Sequence, residues 1–480
     1  MKRASGVKSR VKTPVAAAAW YFAGGAVGKA AGLIATPFFT RLLSSEEFAI
    51  LPLFMTWVGL IGAACGVSGS LGARGKMLID GEGRSEEISC AFFGYGILQL
   101  SICMLLYFLL YPILSRLGAP GIGLSLFVFL QLVLDAAIFS QTTMLKANYA
   151  YKRVVGIGIF LSVAPAVISY VIISLFGARG EYRVVGSLLA GGALAVPIIF
   201  RALKGGRLYD RAIFRELFRT EVPLLPKNLA SALLFSADRL MITAFYGTTA
   251  LSAYTISHSV GAAGGFIVTA LSAAATPWVI GRLSSGRTEG ISEVCDTAVL
   301  LLTLGSVMIC GLAPELLGFL APSGYDAPLS VIAPLTLSSV PLFLSGLLSG
   351  VAASEGRGFS AALPGVITAA LSIALNALLF SIFSIEVAGI GYFIANLAGL
   401  FIAAAIRARQ GGERLFSKSK LSLSLFVGGV LCLIALAYDY SLAMRAVLIL
   451  LAAMISLPLL LGFLVRIGIK RQPKSGGEGV

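Results

Sequence analysis

Apolar residues run along this chain in blocks of about 20, apolar on every face. A barrel strand would alternate apolar and polar positions, so the blocks predict helices that satisfy their own backbone in lipid. Fourteen blocks stand out, at about 14–40, 48–72, 89–115, 122–146, 154–176, 184–202, 222–246, 251–280, 294–320, 329–353, 361–382, 387–406, 421–438 and 443–465. The block at 184–202 is short, and 251–280 is interrupted by Gly261, Gly264, Gly265 and Pro277. The polar segments between blocks leave no room for a globular extramembrane domain. The expected fold is an all-α polytopic membrane protein with about 14 transmembrane helices.

Composition agrees. Of 480 residues 58% are hydrophobic and 12% charged, against about 25% charged in a soluble domain. The net charge of +15 would suit nucleic acid if it were clustered, but it follows topology instead. Lys and Arg fall 29 to five on alternate sides of the predicted spans, and three more lie inside spans. That asymmetry predicts N- and C-termini in the cytoplasm, beside anionic lipid, and no nucleic-acid partner. The apolar run after the basic N-terminus is too long for a signal peptide and reads as a retained first span.

One polar segment has its own pattern. Arg207, Arg211, Arg215 and Arg219 recur every fourth residue, among Leu208, Ile213, Phe214, Leu217 and Phe218. This predicts a basic amphipathic helix lying on the inner membrane surface. It divides the chain into a six-helix lobe at 1–203, a linker at 204–221, a second six-helix lobe at 222–408, and a helix pair with a basic tail at 409–480. A weak repeat supports the division. The turn from Thr40 to Phe48 and the turn from Tyr246 to Tyr254 are both short and both enter the next span at an aromatic residue, as expected of repeated transporter halves.

Charges inside spans are the candidate functional residues, because each costs about 2.5–3.5 kcal/mol on insertion scales. Lys29 lies near the middle of the first span, about 16 Å from the nearer end at 1.5 Å per residue, which favours a cavity-lining role over snorkelling. Asp135 is equally central, with Gln131 one turn away. Lys227 sits near the start of the seventh span and can snorkel. Asp238 and Arg239 are adjacent, so they point about 100° apart and each needs its own partner; Lys29 is the expected partner across a cavity. His258, the single histidine, reads as a hydrogen-bonded packing residue. Asn376 and Asn396 are expected to bond between helices, and Glu315 to reach water. Gly24, Gly28 and Gly32 form one small-residue face for close packing.

Catalytic chemistry has little to stand on. Gly28-Lys29 looks like the end of a phosphate loop, but Ala23 replaces the first required glycine and no Ser or Thr follows Lys29. The six cysteines are scattered without a CxxC and read as small buried hydrophobes. No cofactor and no metal are expected, and the chain does not read as an enzyme.

The stretch Pro37-Phe38-Phe39-Thr40-Arg41-Leu42-Leu43-Ser44-Ser45-Glu46-Glu47-Phe48 resembles a signature of the bacterial polysaccharide flippases, which translocate O-antigen and exopolysaccharide precursors. Pro223, Pro226, Asp238-Arg239, Tyr246-Gly247 and Tyr254 resemble the start of that family's second lobe; Ala49 departs from its usual glycine. The resemblance implies the fold of the multidrug/oligosaccharidyl-lipid/polysaccharide exporter superfamily, two six-helix lobes around a central cavity. It implies flipping of an undecaprenyl-diphosphate-linked oligosaccharide across the cytoplasmic membrane by alternating access. The buried cations Lys29, Arg239 and Lys227 suit an anionic diphosphate, and Asp238 and Asp135 are candidates for coupling to H⁺ or Na⁺. Other polysaccharide-assembly proteins are possible partners. Two alternatives remain, a lipid II flippase of the same superfamily and, from another class, a membrane polysaccharide polymerase, although such polymerases carry a large periplasmic loop.

Overall fold

A computed structural model describes residues 14–66, 74, 77–78, 84–148, 150–205, 208–439 and 441–467. The basic N-terminal residues 2–12, Lys76, Arg207 and the tail 470–474 lie outside the described residues, as do the side chains of Lys29 and Lys227. Among the described residues sixteen α-helices follow in order: α1 Pro14–Leu42, α2 Ser45–Ala64, α3 Ser85–Leu114, α4 Ile122–Ala147, α5 Tyr151–Phe176, α6 Glu181–Gly205, α7 Arg211–Glu221, α8 Leu225–Gly261, α9 Gly264–Ser284, α10 Ile291–Leu320, α11 Ile332–Leu337, α12 Ser339–Ser354, α13 Gly358–Ile382, α14 Ile390–Arg409, α15 Lys418–Ala437 and α16 Leu442–Arg466. Twelve spans among the described residues are long and apolar enough to cross a bilayer. The 29 residues of α1 also have the length of a span. The protein is an all-α, multi-pass membrane protein.

Helix α8 is two arms, not one rod. At Gly247 the backbone takes φ 85° and ψ −178°, a conformation that a side chain disfavours. Tyr254 donates to the Asp238 carboxylate, although 16 residues of straight helix would separate them by about 24 Å. The chain therefore reverses at Gly247, within the turn expected between the seventh and eighth spans. The return arm is interrupted among the expected glycines. It breaks at Ala262–Ala263 before α9, where Gly261 and Gly264 lie too close to Leu335 and Ser339 for a side chain to fit without displacement.

Residue contacts divide the chain into two compact units, Met1–Leu229 and Ala230–Val480. In the first, α1 packs on α5, α5 on α6, and α4 lies between α2, α3 and α6. Gly24 and Gly28 give the close approach expected of them, since a Cβ would meet Val155 at 2.7 Å and Ser162 at 2.6 Å; Gly32 faces open space. Ser44 caps α2 by accepting from the Glu47 amide. The Glu47 carboxylate in turn accepts from the amide of Gly180, in the α5–α6 turn. Arg183 completes the tie, donating to the Phe48 carbonyl at 3.3 Å between the rings of Phe39 and Phe48.

The second unit repeats this tie with other residues. Tyr246, at its first turn, donates to the carbonyls of Phe380 and Phe383 where α13 ends. Here α10 is the spine for the last two helices. Asp296 accepts from the Ser417 amide at 3.0 Å and pairs with Lys420 at 3.1 Å. One heptad on, Thr303 bonds Ser424 at 2.8 Å. Near the other end Glu315 pairs with Arg445, Nη2 to Oε1 at 2.6 Å, and Arg445 also donates to the carbonyls of Gly311 and Tyr438. Glu315 reaches water, as expected, and in addition anchors a buried arginine.

Two further expectations change. Arg74, one of the 29 basic residues assigned to loops and tails on the cytoplasmic side, is 1% exposed. It forms a two-pronged pair with Glu221 at 2.6 and 2.9 Å, 5.3 Å from the rings of both Phe92 and Phe139. The amphipathic helix α7 forms, capped by Asp210. Its apolar face is covered by protein, however, with Leu217 buried against Ile88, Phe92 and Tyr95. Of its expected membrane-facing residues Phe218 is exposed.

Removing one member of a pair buried on both sides leaves an unpaired charge, at about 3–5 kcal/mol. Arg74→Ala is therefore expected to lower the thermal midpoint of the purified protein sharply. Arg74→Met combined with Glu221→Leu, which removes both charges, is expected to lower it less.

Candidate functional site

The bilayer-depth charges of the second unit converge where the two arms of α8 lie side by side. Asp238 is 4% exposed and Tyr254 fully buried. Arg239 Nη2 lies 3.4 Å from His258 Nδ1, and the His258 ring stacks obliquely on Tyr254 at 5.5 Å. Adjacent residues on the outgoing arm thus find separate partners on the return arm, one turn apart. Helix periodicity requires this, because neighbours 100° apart reach Tyr254 and His258, which are themselves four apart and on one face. Tyr392 of α14 lies within electrostatic reach of Asp238.

The cluster is anchored but not saturated. Asp238 Oδ1, Arg239 Nε and the Ser257 hydroxyl are buried without a hydrogen-bond partner among the described residues. An unmade bond at such a group costs about 1–3 kcal/mol, so each keeps capacity for one more polar contact. Asn376 belongs to the same half of the chain and is also buried with both amide atoms unpartnered. Asn396 donates to the carbonyl of Tyr392 on its own helix at 2.8 Å. Neither asparagine makes the bond between helices expected of it; Asn376 instead packs against Gly391, whose missing side chain makes the room.

In the first unit Asp135 accepts from Gln131 at 2.9 Å, and Gln131 accepts from Ser187 of α6 at 3.3 Å. The geometry therefore links Asp135 to α6 through Gln131. Lys29 and Lys227 sit on α1 and α8, and their side chains lie outside the described residues. The sequence reading missed Tyr254 and Tyr392 as members of the cluster. A tyrosine in an apolar block reads as filler until a carboxylate is seen beside it. Among the described residues no group of three metal-ligating side chains comes together.

The sequence model of a family described as polysaccharide biosynthesis protein matches residues 38–285. The chain belongs to that family. Curated protein sequences give no significant match. Among solved structures, a lipid II flippase, MurJ, in an inward closed conformation superposes with TM-score 0.67 at 12% identity, covering 94% of this chain and 100% of that one. An inward-facing multidrug resistance MATE transporter of the MOP superfamily gives 0.61 at 14% identity, covering 80% and 94%. A MOP superfamily transporter from Pyrococcus furiosus, with a binding pocket described as reversed in polarity, gives 0.52 at 14% identity, covering 83% and 96%. At these identities the likeness is one of fold. This polysaccharide biosynthesis protein has the fold of the MOP transporters. The matched segment contains Asp238, Arg239, Tyr254 and His258, and Lys29 lies before it.

Tyr254→Phe takes away the one side-chain donor to Asp238 among the described residues. It is expected to destabilise the purified protein by about 1–3 kcal/mol. The loss should shrink when Asp238→Asn is already present, and a double-mutant cycle on thermal midpoints measures that coupling.

Proposed function

We propose that this protein flips an undecaprenyl-diphosphate-linked oligosaccharide across the bacterial cytoplasmic membrane by alternating access, in polysaccharide biosynthesis and export. The observation that carries the proposal is a buried carboxylate, Asp238, beside a half-buried arginine, Arg239, each with a buried polar atom unpartnered among the described residues, in a member of a polysaccharide biosynthesis family. A fixed cation in a medium of low dielectric attracts a diphosphate strongly, and arginine presents it with several donors. Arg239, with Lys29 and Lys227, is proposed to bind the diphosphate. Asp238, with Asp135 as second candidate, is proposed to couple transport to H⁺ or Na⁺, since a carboxylate oxygen lacking a partner can accept either. The lobes are assigned to 1–203 and 222–408, joined by 204–221 and followed by the helix pair of 409–480. The termini are placed in the cytoplasm on the distribution of Lys and Arg. The proposed role is translocation without covalent change to the substrate.

A second reading, flipping of lipid II, is favoured by the extent of the MurJ superposition, 100% of that chain. The two readings separate by complementation, in strains lacking either a polysaccharide flippase or a lipid II flippase.

In the strain whose glycan export the wild-type gene restores, Lys29→Ala, Arg239→Ala and Asp238→Asn are each expected to cut export at least about tenfold, the effect of 1.4 kcal/mol. Membrane abundance measured in parallel should stay near wild type. Full export by all three variants would overturn the site assignment. Rescue of the lipid II strain alone would replace the substrate.

A further inference from the structure

A cavity of about 470 Å³ opens in the first unit between the first turns of α3, the second half of α4 and the last turns of α6. Its lining runs from Arg84 to Phe93 on α3, about 13 Å at 1.5 Å per residue. It is charged at the helix ends and apolar at Phe93. Both signs of charge are present. Arg84 is held by Glu87 at 2.9 Å, with Asp210 at 4.0 Å. Arg201 and Glu86 also line the cavity. Neither is ion-paired with the other or with another side chain among the described residues.

A ligand that satisfies this lining must present an anion to Arg201, a cation to Glu86 and an apolar portion to Phe93. Its polar linkage would face Gln141. An inorganic phosphate leaves the apolar wall and Glu86 unused. An anionic lipid, or a polyprenyl diphosphate, brings negative charge against Glu86 and Glu87. A zwitterionic phospholipid with a primary ammonium meets all three demands. Its phosphate pairs with the guanidinium in the charge-assisted geometry arginine favours. Its ammonium donates to the carboxylate, and its glycerol and acyl roots lie along the phenyl ring.

We propose that this cavity is a binding site for the headgroup of a phosphoethanolamine lipid, separate from the Asp238–Arg239 cluster. The inference takes only the choice of leaflet, the cytoplasmic one, from the proposed function. Its readout is lipid binding, so it stands or falls independently of what is transported.

The full-length protein is purified in detergent, stripped of lipid, and titrated with phosphatidylethanolamine, phosphatidylglycerol and phosphatidylcholine, with bound lipid counted by native mass spectrometry. Phosphatidylethanolamine is expected to bind about tenfold more tightly than phosphatidylglycerol. Phosphatidylcholine, whose quaternary ammonium has no N–H to donate, should also bind more weakly. Glu86→Gln and Arg201→Gln, both exposed positions, are each expected to abolish the preference, and Arg215→Gln on α7 to leave it intact. Equal binding of the three lipids, or a preference that survives both cavity substitutions, overturns the proposal. Displacement of the bound lipid by undecaprenyl diphosphate would also overturn it, and would assign the cavity to the polyprenyl diphosphate.

Discussion

A full charge taken out of water must find a partner, and much of the order in this chain follows from that requirement. Desolvation makes an unpaired buried charge expensive, whereas a paired one with its remaining donors satisfied is tolerated. Arg74 meets Glu221 across 147 residues of sequence, and Arg445 meets Glu315 across 130. Each pair joins segments that hydrophobic packing alone would allow to slide, because lipid tails are as apolar as the leucines between them. A buried pair adds little net stability over apolar residues of the same shape. Its effect here is positional, holding the end of α7 to the residue at 74 and the end of α16 to α10.

The same logic explains how the two matching turns, at Thr40–Phe48 and Tyr246–Tyr254, are held by different residues. In the first unit the opening turn is tied to the α5–α6 turn by Glu47, with Arg183 over two phenyl rings. In the second the opening turn is tied to the end of α13 by the hydroxyl of Tyr246. A helix end exposes carbonyls and amides that want partners, and a carboxylate can serve the amides as a phenol serves the carbonyls. The two halves keep the connection and change the residues, so matching residue by residue recovers only the short turns. It also gives the flippase-like stretch from Pro37 to Phe48 a structural role, since its serine and glutamate cap α2 and hold the neighbouring turn.

Hydropathy made the spans legible because burial of a whole helix in lipid demands apolar residues on every face. The reversal at Gly247 was legible too, since Tyr-Gly between apolar blocks is turn chemistry. Partners were not legible. Arg74 counted as a topology signal because a charge tally sees residue type and not burial. Asn396 was expected to bridge helices, but its amide reaches a carbonyl one turn back on its own helix, a contact equally available to any helical asparagine. The break at Ala262–Ala263 falls later than Tyr254 and His258, where glycines allow close approach to Leu335 and Ser339. Spacing showed that glycines interrupt the span, and only the packing shows which of them face a neighbour.

The adjacency of Asp238 and Arg239 first reads as a cost, two charges in one span that cannot pair face to face. In the folded hairpin that geometry separates their tasks. Each charge is held by an aromatic residue of the return arm, so neither neutralises the other in direct contact, and each keeps one polar atom unengaged. Two groups locked on each other would offer a substrate or ion little. Two groups anchored separately, side by side and of opposite sign, keep both an anion-binding and a cation-binding capacity on one rigid pair of helices. A change in contact at either would be felt by the other through a short, low-dielectric path. The turn at Gly247 makes this arrangement possible, because only a tight reversal brings positions 16 and 19 residues apart to the same depth.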